Sequence, residues 1–237
     1  MYGTLYLIPC PISDRTEPWD VLPAANRAVI DALDYFIVEN MRTARRFLSK
    51  AGIGRPIDTL CFRELNEHTA AGREVEELVA PLLAGRSAGV ISEAGVPGVA
   101  DPGALVVAAC HRRGIRVVPL VGPSSILMAL MASGLNGQSF AFNGYLPVKP
   151  PERARAIRSL ERRAAAEGQS QLFIEAPYRN AKLWAQLLDV CAAETKLAVA
   201  ADITAPTELI ATYTVGEWRK RAAPDLNRRP AIFILGI

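Results

Sequence analysis

The sequence predicts an α/β protein made of two α/β domains with a ligand cleft between them. Three observations carry that reading. Through the first half, short apolar runs alternate with segments whose apolar residues recur at helix spacing, the pattern of a parallel sheet with helices on both faces. Loops bearing glycine, proline and carboxylates follow those runs, and in such sheets ligands bind at the carboxyl ends of strands. After Val121 the pattern breaks at Gly122-Pro123-Ser124-Ser125, and a later run, Glu208 to Val215, alternates apolar and polar residues as a half-buried antiparallel strand does. The predicted domains are therefore 1–121, with a parallel sheet, and 122–237, with a mixed sheet. Two such domains side by side leave a cleft, a common place for a small-molecule site.

Each element has its own signal. Thr4 to Ile8 reads as the first strand, Trp19 to Leu33 as an amphipathic helix and Tyr35 to Val38 as the second strand. Thr43 to Lys50 continues as helix, and Ile57 to Phe62 as a short strand. Glu74 to Ala84 places Val75, Leu78, Val79 and Leu82 on one helical stripe. Gly89 to Ser92 is a buried strand, Ala104 to Arg113 a helix and Ile115 to Leu120 a further strand. Ser124 or Ser125 is placed to cap an apolar helix that starts at Ile126. In the second half the predicted strands are Ser139–Asn143, Gln171–Glu175, Leu197–Asp202, Glu208–Val215 and a closing Ala231–Leu235. The predicted helices are Glu152–Ala166 and Arg179–Cys191.

Composition narrows the classes. No apolar run in the 237 residues approaches the ~18 that a bilayer demands. The N-terminal MYGTLYLIPCP lacks the basic start of a signal peptide, so a soluble, cytoplasmic protein is expected. Cys10, Cys61, Cys110 and Cys191 form no C-x-x-C pair, and His68 and His111 are the sole histidines; no metal site is expected. The net charge of +3 is small, but its distribution is uneven. Arg42, Arg45, Arg46 and Lys50 share one helical face. Arg155, Arg158 and Arg162 share another, with Lys149, Arg153 and Arg163 nearby, and Arg219, Lys220, Arg221, Arg228 and Arg229 crowd the end. Such faces read equally as solvated surface or as a footprint for an anionic polymer such as RNA.

Fingerprints of the common nucleotide and hydrolase folds are missing: the sequence has no G-x-G-x-x-G, G-x-x-x-x-G-K-[ST], H-E-x-x-H or G-x-S-x-G. What stands out is the stretch GVISEAGVPGVADPG, Gly89 to Gly103. A strand there runs into a loop shaped by three glycines and two prolines, carrying Glu93 and Asp101, and then into a helix. An ordinary βα loop needs only ~2–6 residues. Glycine lets backbone approach a ligand and proline holds the approach rigid. Other strand-end loops, IPCPIS, ENMRT, ELNEHT, GPSS, EAPYR and ADITAPTE, add hydroxyl and charged groups.

The ordered set GTLYLIPCPI, SEAGVPGVADPG, RVVPLVGPSS, MASGL, FNGYLP and EAPYR resembles the tetrapyrrole methylase superfamily. Within it the chain resembles the bacterial ribosomal RNA ribose-2′-O-methyltransferases, which methylate a cytidine of the small subunit. The resemblance implies the class III methyltransferase fold, S-adenosylmethionine as cofactor in the interdomain cleft, and a homodimer. It implies that Ser92, Glu93, Ala94, Gly95, Val96, Gly98, Val99 and Asp101 wrap the cofactor, with the backbone of Gly95, Val96, Gly98 and Val99 at its methionine end. Ser124 and Ser125 would contact the nucleoside portion. Phe142 or Leu146, Ala176, Thr204 and Ala231 would line the adenine side, and Pro9 would close the cleft. The extra C-terminal domain of longer family members is absent from this sequence.

Methyl transfer from a sulfonium rests mainly on in-line positioning. A ribose hydroxyl also needs a proton acceptor. Candidates are Glu39, Glu67, His68, Asp101 and Glu175, while Arg42 and Arg179 could hold a phosphate. Glu39, Arg42 and Glu175 are the catalytic residues expected here. The chain departs from the family pattern mostly in the acceptor-side loops. It has Glu39-Asn40-Met41-Arg42 for E-D-T-R, Leu65-Asn66-Glu67-His68-Thr69 for H-E-H-N-E, Ala176-Pro177-Tyr178-Arg179 for S-P-H-R and Ala201-Asp202-Ile203-Thr204-Ala205 for R-E-L-T-K. In the cofactor loop, Glu93 replaces the usual Asp. The expected function is 2′-O-methylation of a ribose in small-subunit ribosomal RNA. The alternatives are methylation of a tetrapyrrole or other small acceptor, and a non-catalytic cofactor-binding protein associated with RNA.

Overall fold

A computed structural model describes residues 1–65 and 72–237. The described chain divides into two compact units, Met1–Ser124 and Ser125–Ile237. The boundary expected after Val121 lies three residues before this division: Gly122–Ser124 belong to the first unit and Ser125 opens the second.

The first unit is a sheet of β1 (Leu5–Ile8), β2 (Tyr35–Val38), β3 (Cys61–Glu64), β4 (Ala88–Ile91) and β5 (Val117–Pro119). Its spatial order is β3-β2-β4-β1-β5, and every pairing is parallel. Pro119, which cannot donate to a ladder, sits on the edge strand β5. Helices α1 (Pro18–Val21), α2 (Ala25–Ala32) and α3 (Met41–Lys50) pack on one face, where Ile30, Phe47 and Leu48 cluster with Ile8, Phe36 and Ile91. Helices α4 (Arg73–Leu83) and α5 (Gly103–Arg112) pack on the other, where Leu78 and Val106 cluster with Leu5, Ile37 and Val90.

Two expectations shift in this unit. The helix predicted from Trp19 to Leu33 is two helices. Pro23 disfavours helical backbone at Leu22, which is extended at ψ 137°. The strand predicted from Ile57 to Phe62 opens with a 3-10 turn at Ile57–Thr59 and runs as a strand only at Cys61–Glu64.

The second unit holds α6 (Ser125–Ser133), β6 (Phe140–Tyr145), α7 (Pro150–Glu167), β7 (Ser170–Ile174), α8 (Asn180–Val190), β8 (Lys196–Ala201), β9 (Leu209–Thr214), α9 (Val215–Trp218) and β10 (Ala231–Gly236). Its order is β6-β7-β10-β8-β9. Only β6 and β7 run parallel, while β10 is antiparallel to both of its neighbours and β9 to β8. The last strand, expected to close the sheet, lies in its middle, and all six of its residues are buried. Its side chains Phe233 and Leu235 join Phe173, Trp184, Leu187 and Trp218 in the unit's core.

Candidate functional site

The site in the first unit follows from how its chain winds. The connections leaving β1 and β2 lead to helices on one face, and the connection leaving β4 leads to α5 on the opposite face. Since β4 lies between β2 and β1, its loop diverges from both neighbours. That is the topological switch point, where open α/β sheets bind ligands.

The β4–α5 loop, 92–102, is tied down on each side of that crevice. Cys10 and Gly95 exchange both backbone hydrogen bonds, at 2.8 and 3.2 Å. This links the loop after β1 to the loop after β4. On the β2 side, the Glu93 N–H donates to Glu39 Oε2 at 3.2 Å. Inside the loop, Asp101 Oδ1 accepts from Gly98 N at 2.8 Å and from Gly103 N at 2.7 Å. Asp101 is thus an internal strut as well as a charge. Ser92 is buried, with its hydroxyl 3.4 Å from the Ala94 carbonyl. Val96 is half-buried, and Val99 is 49% exposed at the rim.

Two glycines show what the loops require. Gly98 has φ +83° and open space where a Cβ would stand, so its backbone can lie against a ligand. Gly122, in the loop after β5, presses on the loop after β1. A Cβ there would lie 2.3 Å from Pro9 Cγ. Asn26 of α2 holds the same segment by donating to the Val121 carbonyl at 2.8 Å. Ala100, with φ +55°, adds local strain to the β4–α5 loop.

Charge completes the site. Burial pushes the Glu39 carboxyl upward, and the negative charges of Asp101 and Glu93 push it the same way, against the Glu93 N–H. Three carboxylates within electrostatic reach of one another suit a cationic guest. S-adenosylmethionine carries a sulfonium and an ammonium, and the loop's backbone amides suit its carboxylate. The residues present therefore fit this cofactor. Burial also raises the Cys10 thiol, and Asp101 adds to that effect. Cys10 is accordingly a neutral packing residue.

Arg42 is exposed in the first turn of α3, whose N-cap Asn40 accepts from Arg42 N and Thr43 N. Glu64 of β3 receives the Met41 N–H at 3.3 Å. Glu67 and His68 lie outside the described residues. The basic face expected on α3 is largely neutralised: Arg45 pairs with Asp58, Arg46 with Asp14 at 3.7 Å and Lys50 with Glu17 at 3.6 Å.

The second unit gathers several expected residues at one sheet end, where β6, β7 and β8 finish and β10 begins. Ala231 pairs with Ala201, and Ile232 with Ile174. Leu146 follows β6 there, but its side chain is buried in the core, as is that of Ala231. Phe142, half-buried, lies before the β-bulge of β6, one step back from this end. Thr204 holds φ +70°, rare for a β-branched residue, and its N–H donates to Glu208 at 2.8 Å. Ser125 opens α6.

Glu175 sits at the same sheet end, with no exposed side-chain surface. Its Oε1 accepts from Arg179 Nη2 at 2.6 Å and from the Ala176 N–H at 2.7 Å. Its Oε2 lies 3.7 Å from Arg153 Nη1. Oε1 thereby positions Arg179 and the turn at Pro177–Arg179, while Oε2 is buried and, among the described residues, accepts no hydrogen bond. Arg153, read from the sequence with the basic surface, is buried and also pairs with Gln186. Its helix phase, shared with Ile157, Leu160 and Ala164, was the available signal.

A parallel unit with a glycine- and proline-shaped loop at its switch point, followed by a mixed-sheet unit, is the architecture of the class III methyltransferases. The chain belongs to the family described as Tetrapyrrole (Corrin/Porphyrin) Methylases, whose model matches residues 5–218, and it is a methyltransferase. It is 32% identical over 233 residues to ribosomal RNA small subunit methyltransferase I of Xylella fastidiosa, covering 98% of this chain and 80% of that one. The protein of the same name from Vibrio cholerae is 33% identical over 233 residues, covering 98% of this chain and 75% of that one. Among solved structures, the methyltransferase CobJ superposes with a TM-score of 0.64 at 17% identity, covering 99% of this chain and 94% of its own. The cobalt precorrin-4 methyltransferase CbiF superposes at 0.61 with 15% identity, covering 98% and 94%. At those identities the two structures bear on the fold alone.

Proposed function

We propose that this protein is an S-adenosylmethionine-dependent methyltransferase that methylates a ribose 2′-hydroxyl in small-subunit ribosomal RNA. One observation carries the reading: the β4–α5 loop is fastened at the switch point between the loops after β1 and β2, beside the carboxylates Glu39, Glu93 and Asp101. The relatives named above support the RNA acceptor.

When bound, the cofactor supplies an activated methyl group. The chain's own part is placement and proton handling. Backbone groups of Gly95, Val96, Gly98 and Val99 would hold the methionine end, and the exposed Glu93 would offer a counter-charge to its ammonium. Ser124 and Ser125 would hold the nucleoside portion. Glu39 accepts the ribose hydroxyl proton, a role that its raised proton affinity suits. Arg42, exposed at the start of α3, holds an acceptor phosphate. The same reading includes a cytoplasmic homodimer.

The test uses purified protein, labelled cofactor and small ribosomal subunits from a strain lacking the gene. Calorimetry should show cofactor binding, and label should appear at one mapped 2′-hydroxyl. Label in a tetrapyrrole with none in RNA would overturn the acceptor. Cofactor binding with no transfer to either would overturn the enzyme reading.

A further inference from the structure

Helix α7 packs on its sheet through Arg153, Ile157, Leu160 and Ala164. At ~100° per residue, Arg155, Arg158 and Arg162 fall on the opposite side, within an arc of ~60°. All three are exposed. Among the described residues, no hydrogen bond, ion pair or ring contact engages any of them. The carboxylates of the helix are committed elsewhere. Glu152 pairs with Lys149 at 3.8 Å, and Glu167 with Arg163 at 4.0 Å. Glu161 accepts from the Ala192 N–H at 2.8 Å and from Thr195 Oγ1 at 2.5 Å.

The stripe also carries a local cost. Arg155 and Arg158 are three residues apart, and Arg158 and Arg162 four, so neighbouring like charges oppose the helix. Helix α3 shows the alternative in the same chain: its Arg45, Arg46 and Lys50 each have a carboxylate partner. A repelling row that nothing in its own unit neutralises suits a row of external anions.

We infer that the outer face of α7 docks the phosphate backbone of the RNA acceptor, which rests on the ribosomal RNA reading above. The three guanidiniums span ~10 Å along the helix at 1.5 Å per residue, a reach that fits successive phosphates of one strand. Arginine matches phosphate oxygens two at a time. Contacts of this kind set register and affinity but read no bases.

The experiment measures binding of a small-subunit RNA fragment to the intact protein across a salt series. The triple variant R155Q/R158Q/R162Q changes only exposed positions, and Gln keeps a helix propensity close to that of Arg. It should bind RNA on the order of tenfold to hundredfold more weakly at physiological salt. Its log–log salt slope should fall by about 2–3, in line with three lost phosphate contacts. Cofactor binding and the thermal midpoint should match the parent. The control triple R45Q/R46Q/K50Q on α3 should lower RNA affinity by less than about threefold, because those charges are already neutralised. An unchanged RNA isotherm in the α7 variant overturns the docking surface, even if binding to anionic vesicles is lost. Equal losses in both triples overturn it too, since net charge alone would then explain them. RNA binding absent from the parent protein itself would instead overturn the RNA acceptor.

Discussion

Two carboxylates at strand ends, Glu39 and Glu175, face opposite surroundings. Glu175 is enclosed, with arginines 153 and 179 and a backbone N–H around it. Glu39 is half-buried and receives one N–H at 3.2 Å, and the charges near it are the like charges of Glu93 and Asp101. The first arrangement has its charge balanced within its own unit, although Oε2 accepts no hydrogen bond among the described residues. The second is satisfied only when a cation or a proton arrives. Residues kept in unfavourable settings mark functional sites more reliably than residues in comfortable ones. Residue type and strand-end position do not show this contrast, which is the ground for proposing Glu39 rather than Glu175 as the proton acceptor.

Opposite responses to the same substitution test that separation. Glu39→Gln should lower kcat for RNA methylation by about 10²–10⁴, the usual range for a lost general base, with cofactor affinity nearly intact. The parent's rate should fall on the acid side through a limb lying above the ordinary carboxylate range, because burial and like charges raise Glu39. Stability should move the other way. A carboxyl raised in the folded state contributes stability that is complete below the unfolded value and lost as pH rises through the folded one. Glu39→Gln should accordingly raise the thermal midpoint at neutral pH and leave it unchanged in acid. The gain is at most ~1 kcal/mol, since the side chain is only partly buried. A variant that is inactive and also less stable would make Glu39 structural and collapse the contrast.

Glu175→Gln should destabilise the protein by about 3–5 kcal/mol, because it leaves Arg153, itself buried, without its counter-charge. Chemical denaturation would show the lower midpoint. Any fall in activity should track the folded fraction. Full stability with a selective loss of kcat would return Glu175 to the catalytic set.

Residue pattern alone made much of this legible, and the physical reason is locality. Tyr35–Val38 reads directly as a strand because four consecutive buried apolar residues need no partner to be recognised. The loop 92–102 reads as a ligand loop because its glycines and prolines are themselves the constraint. The break at Leu22 was visible in Pro23 but masked by helix periodicity on either side of it. The central position of β10 was hidden because it depends on pairing with β7 and β8, far apart in sequence. Arg153 reads as surface by its charge, although its phase on α7 is that of the buried Ile157, Leu160 and Ala164. Glu39 was found by its strand-end position, but its like-charged neighbours come from a different loop and only the fold brings them together.

The smallest of the expected effects asks whether packing supports the crevice beside Glu39 as charge supports the surroundings of Glu175. A methyl at Gly122 would meet Pro9 Cγ at 2.3 Å and Pro9 Cβ at 2.4 Å, with Leu22 at 3.2 Å. A proline ring on a strand end cannot rotate away, so the loops after β1 and β5 must part. Gly122→Ala should cost about 1–3 kcal/mol. Pro9 precedes Cys10, whose backbone is bonded to Gly95, so the displacement reaches the cofactor loop and should weaken cofactor binding by roughly tenfold, ~1.4 kcal/mol. Pro9→Gly removes both clashing atoms. In a double-mutant cycle, Gly122→Ala and Pro9→Gly should therefore couple by at least ~1 kcal/mol, within the range for residues in contact. Additive losses would mean that the two loops do not support each other, and that the crevice beside Glu39 is held without the Gly122–Pro9 contact, by Cys10–Gly95 and Glu93–Glu39.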